Sequence, residues 1–204
     1  MQLGHIVILN GAPRSGKSSI VAEIQRTFDG VWMNLGVDVF VREVTPERYR
    51  PGIGLRPGQG ERSDIEPLVP ALYRALYGSI AAHSREGLNV VVDVGHHDRA
   101  IFAECARRLH GLPALFVGVR CPIEEIMVRR NAGQPGRDNA YVIGTAADPV
   151  PAPVRRWQDD VHSVGPYDLE VDTSLLDPAA CAGVIRRRLV EGPSGTALAS
   201  AAAG

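Results

Sequence analysis

Two hydrophobic rhythms alternate along the chain. Short unbroken apolar runs, such as HIVILN at 5–10 and NVVVD at 89–93, read as strands buried on both faces. Between them, apolar residues recur every three or four positions, and SIVAEIQRTF sets Ile20, Ile24 and Phe28 on one side of a helix. The pattern predicts strands at 6–10, 31–36, 89–93, 114–119 and 169–171. It predicts helices at about 17–28, 65–85, 99–109, 123–130, 154–162 and 178–190. Strand-like segments alternating with helical ones imply an α/β fold of three layers, a parallel sheet with helices on both faces.

Two stretches break that rhythm. Residues 45–67 are dense in Gly, Pro, Arg and Glu, and residues 131–153 separate two arginine-bearing helices. Both exceed a simple connection, and long loops at the carboxyl ends of strands are where open α/β sheets build their sites. They are therefore expected to serve binding. The tail at 192–204 is rich in small residues and has no periodic apolar face, so it is expected to be disordered. The organisation implied is one domain over 1–191, with an acceptor-binding loop at about 45–67 and a lid at about 122–163.

Composition narrows the partners. A chain of 204 residues that is 45% hydrophobic can bury a sizeable single core. Lys+Arg of 22 against Asp+Glu of 23 leaves a net charge of −1, which gives no pull toward nucleic acid or an acidic membrane surface. A small molecule is the simpler partner, and a homo-oligomer is compatible with this composition. No apolar run approaches the ~18 residues of a membrane span, and no charged-then-apolar leader precedes the first strand, so a cytoplasmic location is expected. Cys105, Cys121 and Cys181 lack metal-ligand spacing and are expected to be buried apolar residues.

The candidate chemistry starts at residues 11–18, GAPRSGKS, which fill every fixed position of G-x-x-x-x-G-K-[ST] between a strand and a helix. Gly11 and Gly16 allow the backbone to turn its N–H groups inward on phosphate oxygens. The following helix aims its positive end at the same point, Lys17 reaches the β- and γ-phosphates, and the Ser18 hydroxyl is a Mg²⁺ ligand. Lys17 is the only lysine in the chain. A compact ammonium fits beneath a phosphate where the planar fork of arginine does not. The loop, comprising Gly11, Ala12, Pro13, Arg14, Ser15, Gly16, Lys17, Ser18 and Ser19, is expected to hold a nucleoside triphosphate.

Asp38 follows the second strand in LGVDVF, where a carboxylate could take the proton of an acceptor hydroxyl; as a helix N-cap it would be merely structural. Asp93 ends the most apolar strand and resembles the Walker B carboxylate of a Mg²⁺ site, with turn capping as its alternative. His96 and His97 are adjacent and cannot point the same way, and no third ligand accompanies them, so no transition-metal site is expected. One is expected to meet the acceptor and the other to lie in a solvated loop. Arg129, Arg130, Arg137, Arg155 and Arg156 form a group from which one or two could neutralise a moving phosphoryl charge.

Taken together, ILNGAPRSGKSSI, LGVDVF, VVVDV, FVGVRCP, RRWQDDVH and YDLEVDTS resemble the chloramphenicol phosphotransferase family of P-loop kinases up to about Leu189. The resemblance implies ATP- and Mg²⁺-dependent phosphorylation of a primary hydroxyl on a small antibiotic-like molecule. It also implies a parallel sheet ordered 2-3-1-4-5, Asp38 as general base, and a lid arginine at Arg129 with Arg130 or Arg137 nearby. Residues 45–67, 95–98 and 131–153 depart from the family's pattern. A sugar or nucleoside kinase is the runner-up, and a nucleotide-binding protein without transfer activity is a further alternative. A GTPase switch is excluded, because its guanine reader needs a second lysine.

Overall fold

A computed structural model describes residues 2–49, 64–133, 143–192 and 195–203. Five parallel strands form one sheet: β1 Ile6–Asn10, β2 Trp32–Asn34, β3 Asn89–Val94, β4 Ala114–Arg120 and β5 Leu169–Asp172. Their order is β2-β3-β1-β4-β5, as the resemblance implied. The helices are α1 Lys17–Thr27, α2 Val37–Val39, α3 Val69–Arg85, α4 Arg99–Arg108, α5 Ile123–Asn131, α6 Ala152–Val161, α7 Pro178–Glu191 and α8 Ala197–Ala203. The predicted strands and the six predicted helices are all present, with ends shifted by a few residues. The largest shift is at α3, which begins at Val69 behind a 3-10 turn, with Pro70 in the first helical turn, where a missing N–H leaves nothing unsatisfied.

The continuous apolar strands are explained by two cores. Ile6, Ile8, Val90, Val92 and Phe116 face α3 and α4, while Val7, Leu9, Val91, Leu115 and Val117 face α1 and α7. A third cluster, of Ala12, Cys121, Ile126, Met127, Val154 and Val161, packs α5 and α6 beneath the first loop. All three cysteines are free and buried. Among the described residues no helix is long and apolar enough to cross a membrane.

The tail departs from expectation. Its composition predicts disorder, yet 197–203 form α8, with Ala197 and Leu198 buried in the α3/α4 core. The Asp168 carboxylate explains the docking: one oxygen accepts from Thr196 N at 2.7 Å and Ala197 N at 2.9 Å, and the other from Phe116 N at 2.9 Å. Alanine is the strongest helix former and lets a helix approach closely, so a segment with little hydrophobic contrast still packs. Leu198→Ala should lower the unfolding free energy by about 2–5 kcal/mol, the range for a buried leucine. Urea denaturation showing no change would mean that α8 contributes nothing to the core.

Candidate active site

The carboxyl ends of β1 and β3 lie level, with Asn10 opposite Val94, while on the other side Asn10 is opposite Gly118 and β4 runs on to Arg120. The loop that leaves β1 there can form only with glycine at its two fixed positions. A Cβ on Gly11 would lie 2.5 Å from Val119 O, and Gly16 has φ 92°. Gly16 is the N-cap of α1 and offers no side-chain cap, which leaves the first N–H groups of the helix open to an anion. Across the loop, Lys17 Nζ donates to Gly11 O at 2.7 Å and to Ala12 O at 2.8 Å.

Two carboxylates approach this lysine. Asp93, near the end of β3, accepts a hydrogen bond from Ser18 Oγ at 2.7 Å, so the two predicted metal ligands are side by side. Its other oxygen lies where a Cβ on Gly36 would be, 1.8 Å away, which explains the glycine of LGVD. Asn34 Oδ1 accepts from Gly36 N at 3.0 Å and turns the chain out of β2. Gly36, not Asp38, is the N-cap of α2, and Asp38 lies in the first turn. Burial lowers the Lys17 pKa to about 8, and Asp93 and then Asp38 oppose that shift, which puts both acids in its field. The Tyr73 phenol is pushed well above its usual range by burial first, then by Asp38 and Asp98.

The histidines separate in another way than expected. His96 is buried at 1% exposure among Phe102, Phe116 and Tyr77, and its Nε2 shares a 2.8 Å hydrogen bond with Tyr77 Oη. His97 is half-buried, with its ring against Trp157 of α6 at 4.7 Å. Neither is a solvated loop residue. The cause is Asn10, absent from the candidate residues of the sequence although an amide ending an apolar strand is itself a signal. Its Oδ1 accepts from His96 N at 2.7 Å, and its Nδ2 donates to Val161 O at 2.8 Å and Tyr167 Oη at 2.9 Å. One buried amide thus holds the strand before the phosphate loop, the loop after Asp93 and the end of α6.

That burial predicts an acid lability. The His96 pKa is lowered to about 3 by burial and then by His97, and the His162 pKa to about 4 by burial first, then by Arg120. A histidine whose folded pKa lies below its unfolded value leaves the unfolded chain holding more protons between the two. Stability therefore falls as pH drops below about 6.5. Between pH 7 and pH 5, His96 alone should remove about 2 kcal/mol, measurable by urea denaturation at the two pH values. A flat profile across that interval would contradict the buried neutral imidazole.

The arginines lie on the other side of the loop. Arg129 donates through Nη1 to Thr173 Oγ1 at 3.1 Å and through Nη2 to Thr173 O at 2.9 Å, and Nη1 is 3.6 Å from the Cβ position of Gly16. Thr173 Oγ1 in turn donates to Ser15 O at 2.8 Å. Arg130 is buried at 6% exposure. Arg155 and Arg156 are exposed on α6, where Arg156 pairs with Asp160 at 3.4 Å. Arg137 lies outside the described residues, as do most of 45–67 and 134–142 of the second long loop.

Known proteins match both the fold and the sequence. A profile of the chloramphenicol phosphotransferase-like proteins matches residues 4–190. A protein of Mycobacterium tuberculosis provisionally named an O-phosphotransferase is 26% identical over 186 residues, covering 85% of this chain and 77% of its own. The APS kinase of Mycobacterium tuberculosis, solved in complex with AMPPNP and APS, superposes with a TM-score of 0.63 at 15% identity, over 94% of this chain and 100% of that one. An unliganded sugar kinase from Janibacter gives a TM-score of 0.61 at 17% identity, over 93% and 96%. These structural likenesses show that the chain shares their fold.

Proposed function

Because this chain belongs to the chloramphenicol phosphotransferase-like family, we propose that it is an ATP-dependent O-phosphotransferase acting on a hydroxyl of a small molecule, with a chloramphenicol-like antibiotic favoured as acceptor. The observation that supports the proposal is that Lys17 and Ser18 are joined by Asp93, hydrogen-bonded to the serine, and by Asp38, within the electrostatic field of the lysine. A phosphate-binding scaffold would need only the first two.

The loop amides and the start of α1 bind the phosphate tail, and Lys17 leaves Gly11 O and Ala12 O to meet its terminal oxygens. Ser18 and Asp93 fit a Mg²⁺ ion, because both offer hard oxygen ligands within hydrogen-bond reach of each other. An ion held there would neutralise charge on the phosphate tail. Asp38 accepts the proton of the acceptor hydroxyl as its oxygen bonds to the γ-phosphorus and the bond to the β-bridging oxygen breaks, leaving ADP and a phosphate ester. Arg129, beside Gly16, is better placed than buried Arg130 to balance charge on the nucleotide. Arg137 is retained as a candidate from its sequence position alone. Residues 122–163 serve as the lid and 45–67 as the acceptor loop in this reading.

The test is incubation with ATP·Mg²⁺ and a panel of alcohols that includes chloramphenicol, sugars and nucleosides, following phosphate incorporation. Transfer to a sugar or nucleoside alone would replace the acceptor class, and binding of ATP without transfer to any alcohol would leave a nucleotide-binding protein.

A further inference from the structure

Arg14 is one of the positions that the phosphate-loop motif leaves unspecified, yet it has φ 73°, a left-handed conformation that side chains other than glycine rarely adopt. Glycine would fit that backbone with less strain. The side chain has a specific use there. Its Nη2 donates to Arg129 O and, at 3.0 Å, to Gly133 O, two carbonyls at the end of α5. The contact is reciprocal, because Arg129 Nη1 donates back to Arg14 O at 3.4 Å. α5 ends in a glycine turn, with Gly133 at φ 72° donating to Arg130 O at 3.1 Å. A cation at a helix carboxyl end is favourable wherever it comes from. Here it comes from the phosphate loop, 115 residues away in sequence.

We propose that Arg14 is a positioning residue that ties the phosphate loop to the end of α5, so that filling the cradle is felt at Arg129 and at the point where the chain leaves that helix. The proposal rests on the nucleotide reading above and deepens it. Phosphate oxygens drawn against the loop amides settle the backbone that carries Arg14, and the guanidinium passes that restraint to the carbonyls of residues 129 and 133. The coupling is reciprocal by linkage, so ordering the end of α5 also favours the nucleotide-filled loop.

Hydrogen exchange read by mass spectrometry tests this on the full chain, with and without AMPPNP and Mg²⁺, in wild type, Arg14→Gly and Arg14→Lys. Arg14→Gly relieves the φ strain, so the chain should fold, and unchanged protection of β1 and β3 verifies that. Without nucleotide, amides at the end of α5 should exchange about tenfold faster in Arg14→Gly, the scale of a lost charge-assisted hydrogen bond. AMPPNP should protect residues 11–19 in all three chains but the end of α5 only in wild type, with partial recovery in Arg14→Lys. A purely structural cap would alter the first measurement and leave the nucleotide-dependent protection intact. Equal nucleotide protection of α5 in wild type and Arg14→Gly, or equal free-state exchange there, overturns the proposal. If AMPPNP protects nothing over 11–19 in wild type, the nucleotide reading fails, and the coupling fails with it.

Discussion

Lys17→Ala is expected to reduce phosphate transfer by about 10²- to 10³-fold or more, the scale of losing one preorganised charge at a transition state. The loss should be larger than for any other single side chain, because no second lysine exists to replace it. Calorimetric affinity for ATP·Mg²⁺ should weaken in the same variant, since the ammonium binds ground state and transition state alike. Lys17→Arg should not rescue it: the ammonium fits between Gly11 O and Ala12 O, at 2.7 and 2.8 Å, and a planar fork does not. Normal turnover in Lys17→Ala would remove the cradle from the mechanism.

Asp38→Asn should cut kcat by about 10²-fold or more, the usual contribution of a general base, with the fold and the ATP affinity little changed. The structure sharpens this expectation, because Gly36 already occupies the N-cap of α2. Substitution at residue 38 therefore removes no capping bond. Asp93→Asn should behave differently, weakening the Mg²⁺ dependence through its Ser18 contact, so the two carboxylates can be told apart by titrating the metal. A fall in Tm with unchanged kcat in Asp38→Asn would assign Asp38 a structural role.

The parts of the site that were legible in the sequence are those with local physical causes. A glycine forced to φ 92° and a lysine next to it leave a fixed spacing, and a strand covered on both faces leaves an unbroken apolar run. The amide that ends the first apolar run marks Asn10 but does not name its partners, which are 86, 151 and 157 residues away and meet it only in the folded chain. The histidine pair misled for a related reason. Polarity suggested a loop, whereas the aromatic residues surrounding His96 come from α3, α4 and β4. α8 was missed because alanine and serine give no hydrophobic contrast, and its docking depends on the carboxylate of Asp168 on a distant segment.

The buried amide before the phosphate loop also bears on how the protein ages. Asn10 is followed by Gly11, the dipeptide most prone to cyclise through the glycine nitrogen and lose ammonia. In the folded chain that nitrogen donates to Val94 O at 3.3 Å, while both ends of the amide are engaged by other segments. The attack that would form the succinimide requires the strand end to come apart first. Isoaspartate at this position would therefore record time spent unfolded, and a preparation kept native should retain its asparagine.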